Sequence, residues 1–483
     1  MAANITLLQE LNPEITQLKK VFGAQKLAFK RHSNPSAVER IAHLDALKHA
    51  LIRYQDELAA AISADYGHRS TDEFKFTEIL FSLEGLKYCR KHVCDWMKPE
   101  HRHVSALNMP AKAKVVYQPL GVVGVIVPWN YPVFLAVGPL MYALAAGNRV
   151  MIKMSGVTPR LSNLFQKMIA ETFAEDHVAV FTGSGEISAI FPSLSFDQLT
   201  FTGSTEVGRI VMAEASKNLT PLLLELGGKS PTIVHKSYSM GDAAERIAFG
   251  KCLNAGQSCI APDHLYLPRG KTKEFVQEFS MRIAKMYPSL LKNPDYSTVI
   301  NDKQYQRIQS YLDDARAKGA QIIEINPANE TFVNTRKMPV TLVTGLKLDM
   351  LLMRHEIFGP VLPILEYDDL DELLKLINSR ARPLALYYFD NSTTRADYVI
   401  ENTHSGGVTV NDVVTHVAID DLPFGGVGSA GMGRYHGHEG FKSMSNTKGV
   451  LIKSRLYTLH FILPPFNKAM HALIKKYLLN SST

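Results

Sequence analysis

The sequence predicts two α/β units, the first built on a doubly wound parallel sheet, with a hairpin-and-tail accessory. Three observations point there. From residue 121 onward, short apolar β-rich runs alternate with helical segments, the pattern of βαβ units. A basic, His-rich break from Met97 to Gln118, carrying Pro99 and Pro110 and ending in AKAKVVYQ, reads as a hairpin leaving the main body. The length of 483 residues suits two or three domains, at roughly 100–200 residues each.

Each element has its own signal. Asn34-Pro35 reads as an N-cap with Pro at the first helical position. Val38, Ile41, Leu44, Leu47 and Leu51 follow at helical spacing, and Gly67 is the expected stop. A second helix runs to about Trp96. GVVGVIV (121–127) is a fully buried strand, Val133 to Ala146 a helix, and RVMIK (149–153) a strand. Thr158-Pro159 opens the next helix. VAVF (178–181), QLTFT (198–202) and PLLLE (221–225) continue the series. A second series comprises SPTIV (230–234), a helix over 243–253, HLYLP (264–268), VLPIL (361–365), LALYYF (384–389) and GGVTV (406–410).

Composition excludes several function classes. Hydrophobic residues at 46% and charged residues at 20% are globular values, neither disordered nor fibrous. A formal charge of +7 without a dense Lys/Arg block is no nucleic-acid footprint. Cys89, Cys94, Cys252 and Cys259 form no C-x-x-C pair, so a reducing, cytoplasmic compartment is expected. His101, His103, His436 and His438 lack partners at zinc-site spacing, so no metal is expected. The start, MAANITLLQELNPEITQLKK, does not read as a signal peptide. Val115 to Asn148 carries no formal charge, but Pro128, Asn130 and Pro132 interrupt it, so a buried strand, turn and helix are expected in place of a membrane span.

Five segments carry chemistry. FTGSTEVG (201–208) follows a strand and opens a helix, where N–H groups can hold a phosphate. Thr205 occupies the middle position of the dinucleotide fingerprint, so an ordinary Gly-rich turn is an equal reading. In LELGGKSP (224–231), Glu225 ends a strand: a surface Glu beside a turn, or a general base whose pKa apolar surroundings raise. In NAGQSCIAP (254–262), Cys259 sits in a polar turn and is the one good nucleophile candidate; the other thiols read as core or surface. In PWNYP (128–132), Asn130 is a turn residue or an oxyanion donor. HEIFGP (355–360) places Glu356 just before a buried strand.

These motifs, with PFGGVGSAGMG (423–433), stand in the order and spacing of the aldehyde dehydrogenase superfamily, and the resemblance runs from about residue 20 to 455. LTPLLLELGGKSP, GQSCIAPD, RHEIFGPVLPI and GMGRYHGHEGF resemble class 3, and within it the bacterial coniferyl aldehyde dehydrogenase branch. The resemblance implies a Rossmann-like cofactor domain (1–96 and 121–225), a catalytic domain (226–418) and a bridging, oligomerisation element (97–120 and 419–483). It implies NAD or NADP as cofactor, an aldehyde substrate and a homodimer. Cys259 matches the nucleophile, Glu225 the general base, and Asn130 with the Cys259 N–H the oxyanion donors. Trp129, Lys153, Gly156, Thr202, Gly203, Ser204, Val207, Gly208, Glu356 and Phe358 fall at cofactor positions, with Lys153 on the adenosine ribose and Glu356 on the nicotinamide ribose.

Three departures matter. Lys153-Met154-Ser155-Gly156 replaces Lys-Pro-Ser-Glu, so the acid that accepts from the ribose 2′-OH is missing and NADP is expected beside NAD. Ser429-Ala430 replaces Asn-Ser. The tail from Leu459 is too short and too charged at Lys468, Lys475 and Lys476 to span a membrane; plain packing is expected, an interfacial helix being the alternative. Two rival functions stand beside hydrolytic oxidation. One is a non-catalytic structural member of the family. The other is a coenzyme A-acylating enzyme, a subgroup that commonly lacks the Glu at the position of Glu225.

Overall fold

The computed structural model describes residues 12–105, 108–183, 185–455, 463–466 and 468–479, with no account of the side chains of 478 and 479. The opening 1–11, part of the segment read as no signal peptide, and residues 456–462 of the tail lie outside the described residues.

The architecture is three sheets. The first has six strands in the order Gly431–Met432, Leu222–Leu226, Gln198–Gly203, Val122–Ile126, Arg149–Lys153, Val178–Phe181. Five of them are parallel, and Gly431–Met432 is an antiparallel edge on Leu222–Leu226. The strand order reverses beside Val122–Ile126: the next two strands in sequence lie to one side, Gln198–Gly203 and Leu222–Leu226 to the other. A crevice therefore opens at the carboxyl ends of Val122–Ile126 and Gln198–Gly203, where open α/β sheets bind ligands. Trp129-Asn130 lies just past the first of those ends, and Thr202-Gly203 closes the second strand with Ser204 following.

The second sheet has seven strands: Gln321–Ile325, Val340–Thr344, Val361–Tyr367, His264–Pro268, Pro231–Val234, Ala385–Phe389, Gly407–Val410. All pairs are parallel except Gln321–Ile325 with Val340–Thr344, an outer pair that the sequence reading did not contain. The third sheet contains the expected hairpin, Glu100–Arg102 with Lys112–Pro119, and adds Ser445–Ile452, a strand the sequence reading did not contain, on the other side of Lys112–Pro119, all antiparallel.

The uncharged stretch resolves as expected into the buried strand Val122–Ile126, a turn, and the helix Pro132–Ala146, whose 15 residues are all buried. Among the described residues no helix is long and apolar enough to cross a membrane. Gly67 ends the helix Ala37–Tyr66 in the left-handed conformation (φ 81°) that glycine adopts without strain.

The start of that helix corrects the sequence reading. Its N-cap is Ser36, not Asn34: Ser36 Oγ accepts from Glu39 N, and Glu39 bonds back to Ser36 N. This reciprocal capping box satisfies two free N–H groups at once, which Asn34 cannot do. Val38 is consequently 77% exposed, while Leu44, Leu47 and Leu51 are buried. The helix Pro13–Arg31 was also unread; its N-cap Asn12 accepts from Glu14 N. In the tail, the helix Ala469–Ile474 buries only His471 and leaves Met470 and Leu473 exposed, so plain packing describes it poorly.

Candidate active site

The two sheets bring their loops together around Cys259. The helix Met240–Cys252 ends in a tight turn in which Asn254 (φ 49°) and Ala255 (φ 51°) take left-handed backbone. Cys259 follows, half-buried. Gln257 anchors the turn: its Nε2 donates to Asn254 O (2.8 Å) and Thr298 O (3.1 Å), and its Oε1 accepts from Ile300 N (2.9 Å). The turn is therefore rigid, which a nucleophile at fixed range requires.

Cys259 borders a cavity of about 190 Å³ lined mainly by rings and aliphatic groups, among them Phe76, Phe81, Tyr131, Phe134, Phe249 and Phe424. Burial pushes the thiol up to about 12, and the carboxylates of Glu356 and Glu225 push it the same way. Both glutamates thus lie within electrostatic reach of the sulfur. Cys89 and Cys252 are buried core thiols and Cys94 is exposed, as read from the sequence.

Glu225 lies in the last turn-ward half of its strand, as the sequence placed it. It is buried, and burial raises its carboxyl well above the usual range, with Arg434 and the Gly426 N–H opposing in part. The loop of PFGGVG makes its room. A Cβ on Gly425 would sit 2.9 Å from Glu225 Oε1. Asn130 is also buried, and its Nδ2 donates to Gln257 O (3.3 Å). An amide nitrogen carries two protons, so this bond fixes the plane and leaves the second N–H to be offered elsewhere.

A second cavity, about 590 Å³, is lined by polar and charged groups: Thr205, Glu206, Arg209, Lys229, Glu356 and Ser429 among them. Glu356 Oε1 is buried there without a partner, and burial, then the charge of Asp263, pushes its carboxyl up to about 8. Gly227 is the reason Glu356 fits: a Cβ at Gly227 would lie 2.0 Å from Glu356 Oε2. Gly203 and Gly208 are explained the same way. A Cβ at Gly203 would meet the Phe201 ring at 2.5 Å, and one at Gly208 would meet Leu226 at 2.6 Å. Ser204 caps the helix Thr205–Ser216 through Val207 N, so free N–H groups open onto this crevice. Thr202 is buried and Val207 exposed. Trp129 packs edge-on against Phe358 at 5.3 Å, and Phe358 holds a left-handed φ of 49°.

Lys153 and Gly156 lie at the far end. Lys153 is buried, and its ammonium donates to Met154 O (2.7 Å) and Gly183 O (2.5 Å). Burial lowers it to about 8, while the charge of Glu14 acts the other way. Gly156 is exposed. Glu14, on the unread first helix, is a carboxylate near this end that one sequence could not reveal.

The sequence reading also missed the residues that hold Glu356. Lys229 bonds Asp263, Leu352 O (2.7 Å) and His355 O (2.9 Å), while Asp263 Oδ1 accepts from Ile357 N (2.9 Å). The Lys in GGKSP was the available signal. Among the described residues, no group of three His, Cys, Asp or Glu side chains could hold a metal ion.

The residues present suit a nicotinamide dinucleotide. An unpartnered buried carboxylate oxygen, a helix N-terminus and Gly227, which leaves room for Glu356, border the same side of the molecule. Comparison with known proteins agrees. The Aldehyde dehydrogenase family pattern matches residues 8–450. A probable coniferyl aldehyde dehydrogenase of Pseudomonas aeruginosa is 49% identical over 476 residues, covering 99% of each chain. The substrate-bound structure of Staphylococcus aureus AldH is 35% identical with a TM-score of 0.89, covering 95% of this chain and 99% of that one. Betaine aldehyde dehydrogenase from Staphylococcus aureus in complex with NAD+ is 25% identical with a TM-score of 0.81, covering 90% of this chain and 87% of that one. The chain belongs to the aldehyde dehydrogenase family and is an NAD(P)-dependent enzyme of that family.

Proposed function

We propose that this enzyme oxidises an aromatic aldehyde of the coniferyl type to its acid, with Cys259 as nucleophile, Asn130 as oxyanion donor and Glu225 as general base. The observation that carries the reading is Cys259 itself, placed between an aromatic cavity and the two buried glutamates. Rings lining a narrow cavity favour a flat aromatic substrate through edge and face contacts. The 49% identical relative carries the same substrate in its name.

The chemistry follows from the groups present. The Cys259 thiolate, its proton released to solvent, adds to the carbonyl carbon, and the carbonyl electrons move onto oxygen. The second N–H of Asn130 and the Cys259 N–H receive that oxyanion. When bound, the nicotinamide cofactor supplies the hydride acceptor for this adduct. Glu356 holds its ribose, and Trp129, Phe358, Thr202, Gly203, Ser204, Val207 and Gly208 shape its crevice. Lys153 and Gly156 border the adenosine end. The product on Cys259 is a thioester. Glu225 then takes a proton from water, hydroxide adds, and the thiolate leaves. An intact Glu225 favours hydrolysis over transfer to coenzyme A.

The domain boundaries drawn from the resemblance are kept as part of this reading, with one departure: Gly431–Met432, inside 419–483, pairs with Leu222–Leu226 in the first sheet. A homodimer suits the third sheet: its edge strand Ser445–Ile452 exposes Leu451 at 56% and Ile452 at 49% on an edge that no strand among the described residues covers. Four free cysteines suit the cytoplasm.

The test is a panel of coniferyl aldehyde, benzaldehyde and octanal, with acid measured in the absence of coenzyme A. We expect kcat/KM for coniferyl aldehyde at least about tenfold above octanal, or about 1.4 kcal/mol. A preference for octanal, or dependence on coenzyme A, would overturn the reading.

A further inference from the structure

Asn130 and Cys259 sit on loops from different sheets, yet an oxyanion hole needs its donors at about 3 Å from one point. The segment from Tyr66 to Glu78 touches both loops. Arg69 and Glu78 form a fully buried ion pair, Nη1 to Oε1 2.8 Å. Glu78 Oε2 accepts from Val133 N (2.7 Å) and Phe134 N (3.1 Å), in the first turn of the helix that follows Asn130. Both oxygens of Glu73 accept from Asn254 N, at 2.9 and 3.0 Å, in the loop that carries Cys259.

A cross-link joins the two. Asn254 Nδ2 donates to Asn130 O (3.0 Å) and to Tyr66 Oη (3.1 Å), and Tyr66 Oη lies 3.4 Å from Asn130 O. Arg69 lies over the rings of Tyr131 at 5.0 Å and Tyr66 at 5.3 Å, which fixes the flanks of the same loops. Such a cluster is a poor source of stability, because desolvation cancels most of the attraction in a buried ion pair. It is a good source of direction, because Glu78 receives two main-chain N–H groups and Glu73 one, in charge-assisted bonds.

We propose that Tyr66 and Glu73, anchored by the Arg69–Glu78 pair, are positioning residues that set the spacing of Asn130 from Cys259 and so the rate of acylation. The proposal rests on the roles proposed above for those two residues.

The test is single-turnover hydride transfer with enzyme in excess over aldehyde and cofactor saturating, so that inactive molecules do not alter the rate constant. Glu73→Ala is expected to slow it about 10- to 100-fold and Tyr66→Phe about threefold to tenfold, the scale of one misplaced donor. Glu73→Gln keeps an acceptor oxygen and should recover to within about threefold of wild type. Cofactor affinity should stay within about twofold throughout. In an Asn130→Ala background each loss should shrink, because the group being positioned is gone. Rate constants within about twofold of wild type, or losses that multiply in full with that of Asn130→Ala, overturn the proposal. Tyr66→Phe decides alone if Glu73→Ala does not fold. A wild-type rate in Asn130→Ala would sink the underlying assignment instead.

Discussion

The two cavities that meet Cys259 and Glu356 are opposites. The larger is polar, and its key groups come from unbroken motifs: GSTEVG, LELGGK and HEIFGP. The smaller is apolar; motifs bring Cys259, Tyr131 and Phe424 to it, but Phe76, Phe81, Phe134 and Phe249 come from outside any motif. A dinucleotide is bound by main-chain N–H groups and a few carboxylates, which demand glycines at fixed spacing. An aldehyde tail is bound by shape and apolar area, which many residue combinations provide. The cofactor side is therefore written in short words, while on the substrate side only the surroundings of Cys259 are, and most of the rings are not.

Substitutions on either side of the sulfur can break or sharpen that contrast. The largest effect is expected at the sulfur itself. Cys259→Ala should lower turnover more than about a thousandfold while the protein folds and still binds cofactor by fluorescence titration. Turnover above that level in a clean preparation would remove Cys259 from both cavities' chemistry.

Next in size is Glu225→Gln. We expect kcat to fall about a hundredfold or more, with a burst of about one reduced cofactor per site in rapid mixing. Burial raises the Glu225 carboxyl, so it is protonated, and inert as a base, to higher pH than an ordinary glutamate. Deacylation should climb as pH rises and the carboxylate forms, and Glu225→Gln should erase that limb. If hydride transfer falls as far as kcat does, Glu225 acts mainly on the thiol.

Phe424→Leu should act on the apolar side alone. Phe424 packs edge-on to Tyr435 at 5.8 Å in the substrate wall. KM for coniferyl aldehyde should rise about tenfold and KM for cofactor should not move, the loss of about one ring contact. Parallel rises in both constants would show the two cavities to be one coupled site.

The smallest effect is expected at the adenosine end. With Gly156 in place of the acid, NAD and NADP should be used within about tenfold of one another. Gly156→Glu should shift preference to NAD by raising KM for NADP. Lys153 is bonded to two carbonyls, which weakens its call on a phosphate, and Glu14 lies near enough to act on it. Glu14→Gln measured beside Gly156→Glu separates the two carboxylates. A ratio above about a hundredfold for NAD in wild type, lowered by Glu14→Gln, would make Glu14 the substitute acid.

By itself the sequence determined the α/β class and twelve strands of the two large sheets' parallel cores and hairpin, and it singled out Cys259, Glu225, Asn130 and Glu356 as candidates. These were legible because each rests on a local rule: apolar runs of strand length, a Gly-rich turn after a strand, a polar turn around one thiol. Local rules also failed where two were in competition, as at Ser36 against Asn34, where a reciprocal cap outbids a single one. Only the tertiary structure decided the rest. Gln321–Ile325 is half-exposed and pairs antiparallel with Val340–Thr344, so it lacks the unbroken buried pattern of a strand in a βα series; Val340–Thr344 is buried at four of its five positions, and the reading passed over it all the same. Tyr66, at the end of one helix, and Arg69, Glu73 and Glu78, after it, belong to no motif in the sequence, and became the link between the loops of Asn130 and Cys259 only when the chain brought residues 66–78, 130–134 and 254 together. Distances between loops from different sheets are set by packing across hundreds of residues, and no window of sequence contains them.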